Sequence, residues 1–104
     1  MVMLTDYEGR TIRLTDERWE HITEHPEMAG MRQALEETIR TPEFVVQSPG
    51  DENARLYYRF YDRTLVGGKH LCAVVMVLDK DAFVVTAYLT DRVMRGTVLW
   101  PKKP

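Results

Sequence analysis

The chain has 104 residues, a formal net charge of −2 and a sequence pI near 5.9. This length suits a single domain, residues 1–104. The mild acidity argues against binding of nucleic acid by bulk charge, but it is compatible with a local basic cleft. No apolar run reaches the roughly 18 residues that a membrane-spanning helix needs, and the first residues do not resemble a signal peptide. We therefore expect a cytoplasmic protein with no membrane partner. Cys72, the only cysteine, lies in an apolar run and is expected to be a buried structural thiol.

The first predicted elements are a hairpin and a short helix. Val2-Met3-Leu4 and Thr11-Ile12-Arg13-Leu14 are two short strand-like segments on either side of a turn at Gly9, which is the pattern of a hairpin. Thr15 is a favourable N-cap for a helix that follows at once, and Pro26 is expected to end or kink that helix.

Two histidines follow within this predicted helix. His21 and His25 are four residues apart, so a helix that includes both would present them side by side. Because the pKa of histidine lies near neutral pH, such a pair suits acid/base chemistry. The alternative is a pair of surface histidines near a helix end that perform no chemistry.

The rest of the chain predicts one more helix and then a sheet. Apolar residues at steps of three and four indicate an amphipathic helix over residues 28–40. The period then changes to two in four segments, residues 44–48, 56–61, 69–78 and 82–90, each separated by turn residues. We expect an α+β fold in which the N-terminal hairpin and two helices pack on one face of a four-stranded antiparallel sheet. Trp100 is large enough to anchor a final segment, and a short strand added to the sheet is one form that this segment could take.

The alternation along the strands predicts which side chains face away from the helices. Tyr57, Arg59 and Tyr61 are expected on this open face, and so are Thr86, Tyr88 and Thr90, with Lys69 or His70 at one edge. Tyrosine and threonine are also ordinary strand residues, and Arg59 is alternatively a solvated charge or a cross-strand partner. Taken together, the cationic and hydroxyl side chains favour a polyanionic substrate. The sequence contains no zinc-binding pattern and no Walker motif, so we expect no metal and no cofactor.

Several motifs resemble those of one known group. They are Leu14-Thr15-x-x-Arg18-Trp19-x-His21-Ile22-x-x-x-His25-Pro26-Glu27, Thr38-Ile39-x-x-Pro42, Tyr57-Tyr58 and Phe83-Val84-Val85-Thr86-Ala87-Tyr88. Together they resemble the phage-associated nuclease-like domains of the barnase, EndoU, colicin and RelE superfamily, over about residues 12 to 92. The resemblance implies a sheet whose open face is the active site. It also implies metal-independent cleavage of RNA, an activity typical of toxins or effectors. RNA would then be the substrate, and a neutralising protein would be a partner to test for.

The resemblance also assigns roles to residues. The helix histidine matches His21 or His25, the basic strand residue matches Arg59 or Lys69, and the late hydroxyl matches Thr86. Cleavage without a metal needs an acid, a base and donors around the phosphorane, so the catalytic set would be His21, His25, Arg59 and Thr86. The substrate-binding set would be Tyr57, Lys69, Tyr88 and Thr90. The alternative is a catalytically inactive domain of the same fold that binds nucleic acid or a partner protein through its open sheet face.

Overall fold

The computed structural model describes residues 1–102, which form one sheet and a thin helical layer. The elements are β1 (Val2–Thr5), β2 (Thr11–Leu14), α1 (Asp16–Ile22), a 3₁₀ turn (Pro26–Met28), α2 (Arg32–Arg40), β3 (Phe44–Gln47), β4 (Ala54–Tyr61), β5 (Lys69–Val77), β6 (Ala82–Thr90) and β7 (Thr97–Trp100). None of the helices among the described residues is long and apolar enough to cross a lipid bilayer.

The sheet has seven strands in the order β1-β2-β6-β5-β4-β3-β7. The predicted α+β class is confirmed, but the predicted four-stranded antiparallel sheet is wrong. The N-terminal hairpin joins the sheet because β2 runs parallel to β6, with Arg13 beside Phe83, and β7 adds to the free edge of β3. Alternating side chains indicate that a segment is a strand, but they carry no information about which strand it pairs with.

Both helices are shorter than predicted. Thr15 caps α1 as expected, accepting a hydrogen bond from the backbone nitrogen of Arg18 at 3.1 Å, but α1 ends at Ile22. His25 has extended backbone angles, φ −81° and ψ 107°, because the ring of Pro26 disfavours a helical conformation in the preceding residue. The second helix begins at Arg32 instead of residue 28, after Gly30 has taken a φ of +76°.

The two faces of the sheet have different cores. The face covered by the helices, called here the helix face, carries the larger core. Side chains of both helices and the 3₁₀ turn pack there against the central strands, including Ile22, Met28, Leu35, Ile39, Tyr57, Leu71, Ala73, Val75 and Val84. The opposite face, called the open face, carries a smaller cluster of Val46, Leu56, Tyr58 and Cys72, with Val74, Tyr88 and Val93 packed against it.

The chain between β6 and β7 crosses the open face. Val93 packs on the smaller cluster, and the backbone nitrogen of Met94 donates a hydrogen bond of 3.0 Å to the Tyr58 hydroxyl. This crossing segment, residues 91–96, therefore covers the middle of the open face and leaves the end near Thr90 accessible.

The turn of the N-terminal hairpin reaches across the helix face. Asp6 is buried and accepts hydrogen bonds from the Tyr57 hydroxyl at 2.7 Å and from Nη1 of Arg10 at 2.6 Å. The neighbouring Tyr7 ring lies 5.2 Å from the ring of Trp100, measured between centroids. These contacts connect β1 and β2 to β4 and β7, three strands away or more in the sheet order.

Candidate functional site

The structure distributes the predicted site residues over three places. Thr86, Tyr88 and Thr90 lie on the open face, because their cross-strand partners are Val74, Cys72 and His70. The side chains of Tyr57, Arg59 and Lys69 belong to the helix face, since their partners across β4 and β5 are Ala73, Leu71 and Tyr61. The predicted positions of Tyr57, Arg59 and Tyr61 on the open face are therefore wrong.

The two histidines lie in the helical layer and do not share a helix. Half of each side chain, 51%, is exposed. Nδ1 of His21 lies 3.3 Å from the Glu24 carboxylate, and Nδ1 of His25 lies 3.9 Å from that of Glu27. The sheet separates both rings from Thr86, which lies on the opposite face.

Arg59 is held by the second helix. Its Nη1 donates to the carbonyl oxygen of Thr41 at 2.7 Å, and its Nε lies 3.4 Å from the Glu37 carboxylate. The same carboxylate accepts a hydrogen bond of 2.7 Å from the Tyr61 hydroxyl. These bonds attach the C-terminal end of α2 to β4. The predicted catalytic set of His21, His25, Arg59 and Thr86 is not brought into one site.

The remaining predicted binding residues are also engaged. Nζ of Lys69 forms an ion pair of 2.5 Å with Asp91, and Tyr57 is fully buried against Asp6. A groove of about 470 Å³ lies beside α2, lined by Gln33, Ala34, Glu36, Glu37, Arg40 and Tyr61. Two carboxylates in that lining disfavour a polyanionic ligand.

The accessible end of the open face is built by three adjacent strands. Phe60, His70 and Thr90 are cross-strand neighbours, and the Phe60 and His70 rings meet edge to face with centroids 5.1 Å apart. Nδ1 of His70 is buried and has no hydrogen-bond partner among the described residues. The alternation along β4 predicts Phe60 opposite Arg59, on the face under the helices, whereas the structure places it on the open face with 46% of the residue exposed.

Exposed apolar side chains concentrate around Phe60. On the neighbouring strand Phe44 lies diagonal to Phe60, and Met94 lies on the crossing segment. Leu65 and Val66 belong to the loop that returns to Phe60 at Gly68, where a Cβ would lie 3.0 Å from the Phe60 ring. Their exposed fractions range from 40% for Phe44 to 73% for Leu65. These five residues, named the open-face patch, are half of the ten large hydrophobic side chains that are exposed in residues 1–102.

Beneath the crossing segment, Cys72 lies between two tyrosine hydroxyls. Burial raises the pKa of the Cys72 thiol and also the pKa values of Tyr88 and Tyr58, the latter to about 12. A buried thiol with a raised pKa is a poor nucleophile, because little thiolate forms near neutral pH. The predicted buried structural thiol is confirmed.

Alkaline pH should therefore unfold the protein cooperatively. Burial raises the pKa values of Tyr58 and Tyr61 to about 12 in the folded state, whereas unfolded tyrosines ionise near 10. Above pH 10 the unfolded state releases protons that the folded state retains, so the free energy of unfolding should fall as the pH rises from 10 to 12. We expect tyrosinate absorbance to rise together with the loss of circular dichroism. Ionisation of most tyrosines near pH 10 in a protein that stays folded would contradict this, and Y58F should show a weaker pH dependence.

Comparisons with known proteins leave the family open. A scan against protein-family models finds no match, and searches of curated proteins and of solved structures find none either. The resemblance to the nuclease superfamily thus stays a prediction from motifs. Within the described part of the chain, no group of three histidine, cysteine or carboxylate side chains is placed to hold a metal ion.

Proposed function

We propose that this chain is a protein-binding domain that engages a partner protein through the open-face patch. The observation that carries the proposal is the concentration of Phe44, Phe60, Leu65, Val66 and Met94 at the accessible end of one sheet face. Exposed apolar residues that gather in one place, rimmed by polar residues, are typical of protein interaction sites. Phenylalanine and methionine are also enriched in the cores of such interfaces.

Partner binding is favoured over RNA cleavage by the positions of the chemical groups. The two histidines, Arg59 and Thr86 occupy three separate places, whereas general acid/base cleavage needs them around a single phosphate. Metal-independent cleavage stays a prediction. RNA fragments with 2′,3′-cyclic phosphate ends, formed in EDTA and lost in H21A or H25A, would establish it and would replace partner binding as the primary proposal.

A photocrosslinking experiment tests the proposed function. A photoreactive phenylalanine analogue at Phe60 should crosslink to a specific protein in the cells that produce this chain, and the same analogue at Leu78 should not. Leu78 is a suitable control because it is similarly exposed, 42% against 46% for Phe60, but lies in the turn between β5 and β6.

Reconstitution with the purified partner should then give a quantitative result. F60S is expected to raise the dissociation constant about 30-fold or more, as for a central hydrophobic residue of an interface. L78S should leave it within about twofold, as for a residue outside the interface. Equal crosslinking from both positions, or equal affinities of the two variants, would refute the proposal.

A further inference from the structure

The rim of the open-face patch is rich in arginine. Arg63 belongs to the same loop as Leu65 and Val66, Arg95 follows Met94, and the backbone nitrogen of Arg92 donates a 3.3 Å hydrogen bond to the hydroxyl of Thr90. All three arginines are exposed, and none forms an ion pair within residues 1–102. Three arginines without an ion pair among the described residues thus lie on the loop and the crossing segment that carry Leu65, Val66 and Met94, in a chain whose net charge is −2.

Of the three carboxylates near this rim, one is paired with a cation. Asp91 forms an ion pair with Lys69 at 2.5 Å, and Glu43 accepts a 2.6 Å hydrogen bond from the backbone nitrogen of Phe60. Asp62, next to Arg63, has no such contact among the described residues. Because a backbone amide does not neutralise Glu43, three arginines stand against two uncompensated carboxylates, Glu43 and Asp62, and the rim keeps an excess of one positive charge.

We infer that the partner of the open-face patch presents an acidic segment, whose carboxylates pair with Arg63, Arg92 and Arg95 while its apolar side chains cover Phe60 and Met94. This inference rests on the proposed function and adds the chemistry of the partner. Guanidinium groups bind carboxylates in a planar, bidentate geometry, and rim charges of this kind govern which partner is accepted.

Two other occupants fit the patch less well. Single-stranded RNA is held by stacking its bases on aromatic faces, but Leu65, Val66 and Met94 offer none. Only Phe44 and Phe60 of the five patch residues are aromatic, and the Phe60 ring already meets the His70 ring edge to face. A second copy of this chain, docked through the same patch, would bring two arginine rims together. Such a self-complementary contact is disfavoured by the repulsion of like charges.

Peptide binding tests the inference. The probes are two fluorescein-labelled 12-residue peptides with the same leucine and phenylalanine anchors, whose other residues are mainly glutamate in one and mainly lysine in the other. We expect the glutamate peptide to bind about tenfold more tightly at low salt, since three exposed pairs each contribute a modest amount and are screened by added salt. R63E/R92E/R95E should reverse the preference, whereas F60S should weaken both peptides and keep the preference.

A charge-matched control separates the rim from the net charge. R18E/R40E/K80E makes the same change in net charge at exposed residues away from the patch, none of which forms an ion pair among the described residues. This control should keep the preference for glutamate. Equal binding of the two peptides by the wild type, or reversal by the control as well, would overturn the inference. A crosslinked partner whose contacting segment is basic would do the same.

The test also distinguishes the other occupants and the proposed function itself. Tighter binding of a labelled 12-nucleotide oligouridylate than of the glutamate peptide would assign the rim to phosphate and overturn the inference. If sedimentation velocity shows a dimer that F60S dissociates, the patch binds a second copy of the chain, and the inference of an acidic partner is overturned. If the partner is bound through Phe60 but R63E/R92E/R95E leaves its affinity unchanged, the proposed function stands and the acidic partner is refuted.

Discussion

Replacing Asp6 with alanine should lower the free energy of unfolding by about 3–5 kcal/mol, as when one partner of a buried ion pair is removed. Only 3% of Asp6 is exposed, and its carboxylate accepts hydrogen bonds from the Tyr57 hydroxyl, the Arg10 guanidinium and two backbone nitrogens of the turn. The substitution leaves the buried Tyr57 hydroxyl and two backbone amides without this acceptor, while the Arg10 side chain, 28% exposed, keeps partial contact with water. Since domains of this size are stable by about 5–15 kcal/mol, most of the stability should be lost. Urea denaturation of the wild type and D6A measures the difference.

Two matched variants show whether the effect comes from the buried network. Y57F removes one hydrogen bond but keeps the ion pair, and it should cost about 1–2 kcal/mol. D16A removes an exposed carboxylate whose only ion pair in the described chain is with the N-terminal amine at 3.2 Å, and it should cost less than about 1 kcal/mol. A D6A protein as stable as D16A would show that the hairpin turn does not depend on this network.

The sequence predicts those parts of the fold that depend on local patterns. The four central strands, β3 to β6, lie within about two residues of their predicted bounds, because each has its own run of β-branched and aromatic residues between turn residues. The N-cap at Thr15 is equally local, since its hydroxyl bonds to a backbone nitrogen three residues later. The α+β class follows from the order of these elements.

The assignment of faces in β4 could not be predicted, because both faces are buried at the centre of the strand. Tyr57 and Tyr58 are neighbours on opposite faces, yet the exposed fraction is 0% for Tyr57 and 1% for Tyr58. The hydroxyl of Tyr57 finds its partner in Asp6, 51 residues earlier, and that of Tyr58 binds the backbone of Met94, 36 residues later. Alternation identifies a core face only where the other face is polar, and here long-range contacts satisfy both hydroxyls.

The candidate site depends even more on long-range structure. His21 and His25 lie side by side only in a helix that includes both, but α1 ends at Ile22 and His25 is extended before Pro26. The geometric argument for a histidine pair therefore fails. The open-face patch brings together β3, β4, the loop after β4 and the crossing segment. A local signal existed only for Leu65 and Val66, two large apolar residues in a loop between polar and glycine residues.

Substituting Gly96 should disturb the crossing segment that covers the open face. A Cβ at this position would lie 2.7 Å from the carbonyl oxygen of Gln47 and 2.8 Å from Cγ1 of Val46, both closer than side-chain carbons pack. Since a backbone oxygen on β3 cannot move without disturbing the sheet, G96A should cost about 1–3 kcal/mol of unfolding free energy, as overpacked sites do. G50A is the matched control, because a Cβ there meets nothing within 4 Å.

Thiol reactivity would show where the strain of G96A is relieved. Cys72 is fully buried in the cluster on which Val93 of the crossing segment packs, so the native protein should react slowly with a chromogenic disulfide. If G96A displaces the crossing segment, Cys72 should react about tenfold faster or more. This increase corresponds to a decrease of over ~1 kcal/mol in the free energy of local opening of the segment. The same displacement would move Met94 and weaken binding at the open-face patch. Equal stability and equal thiol reactivity of G96A and G50A would show that the close approach at Gly96 does not hold the segment in place.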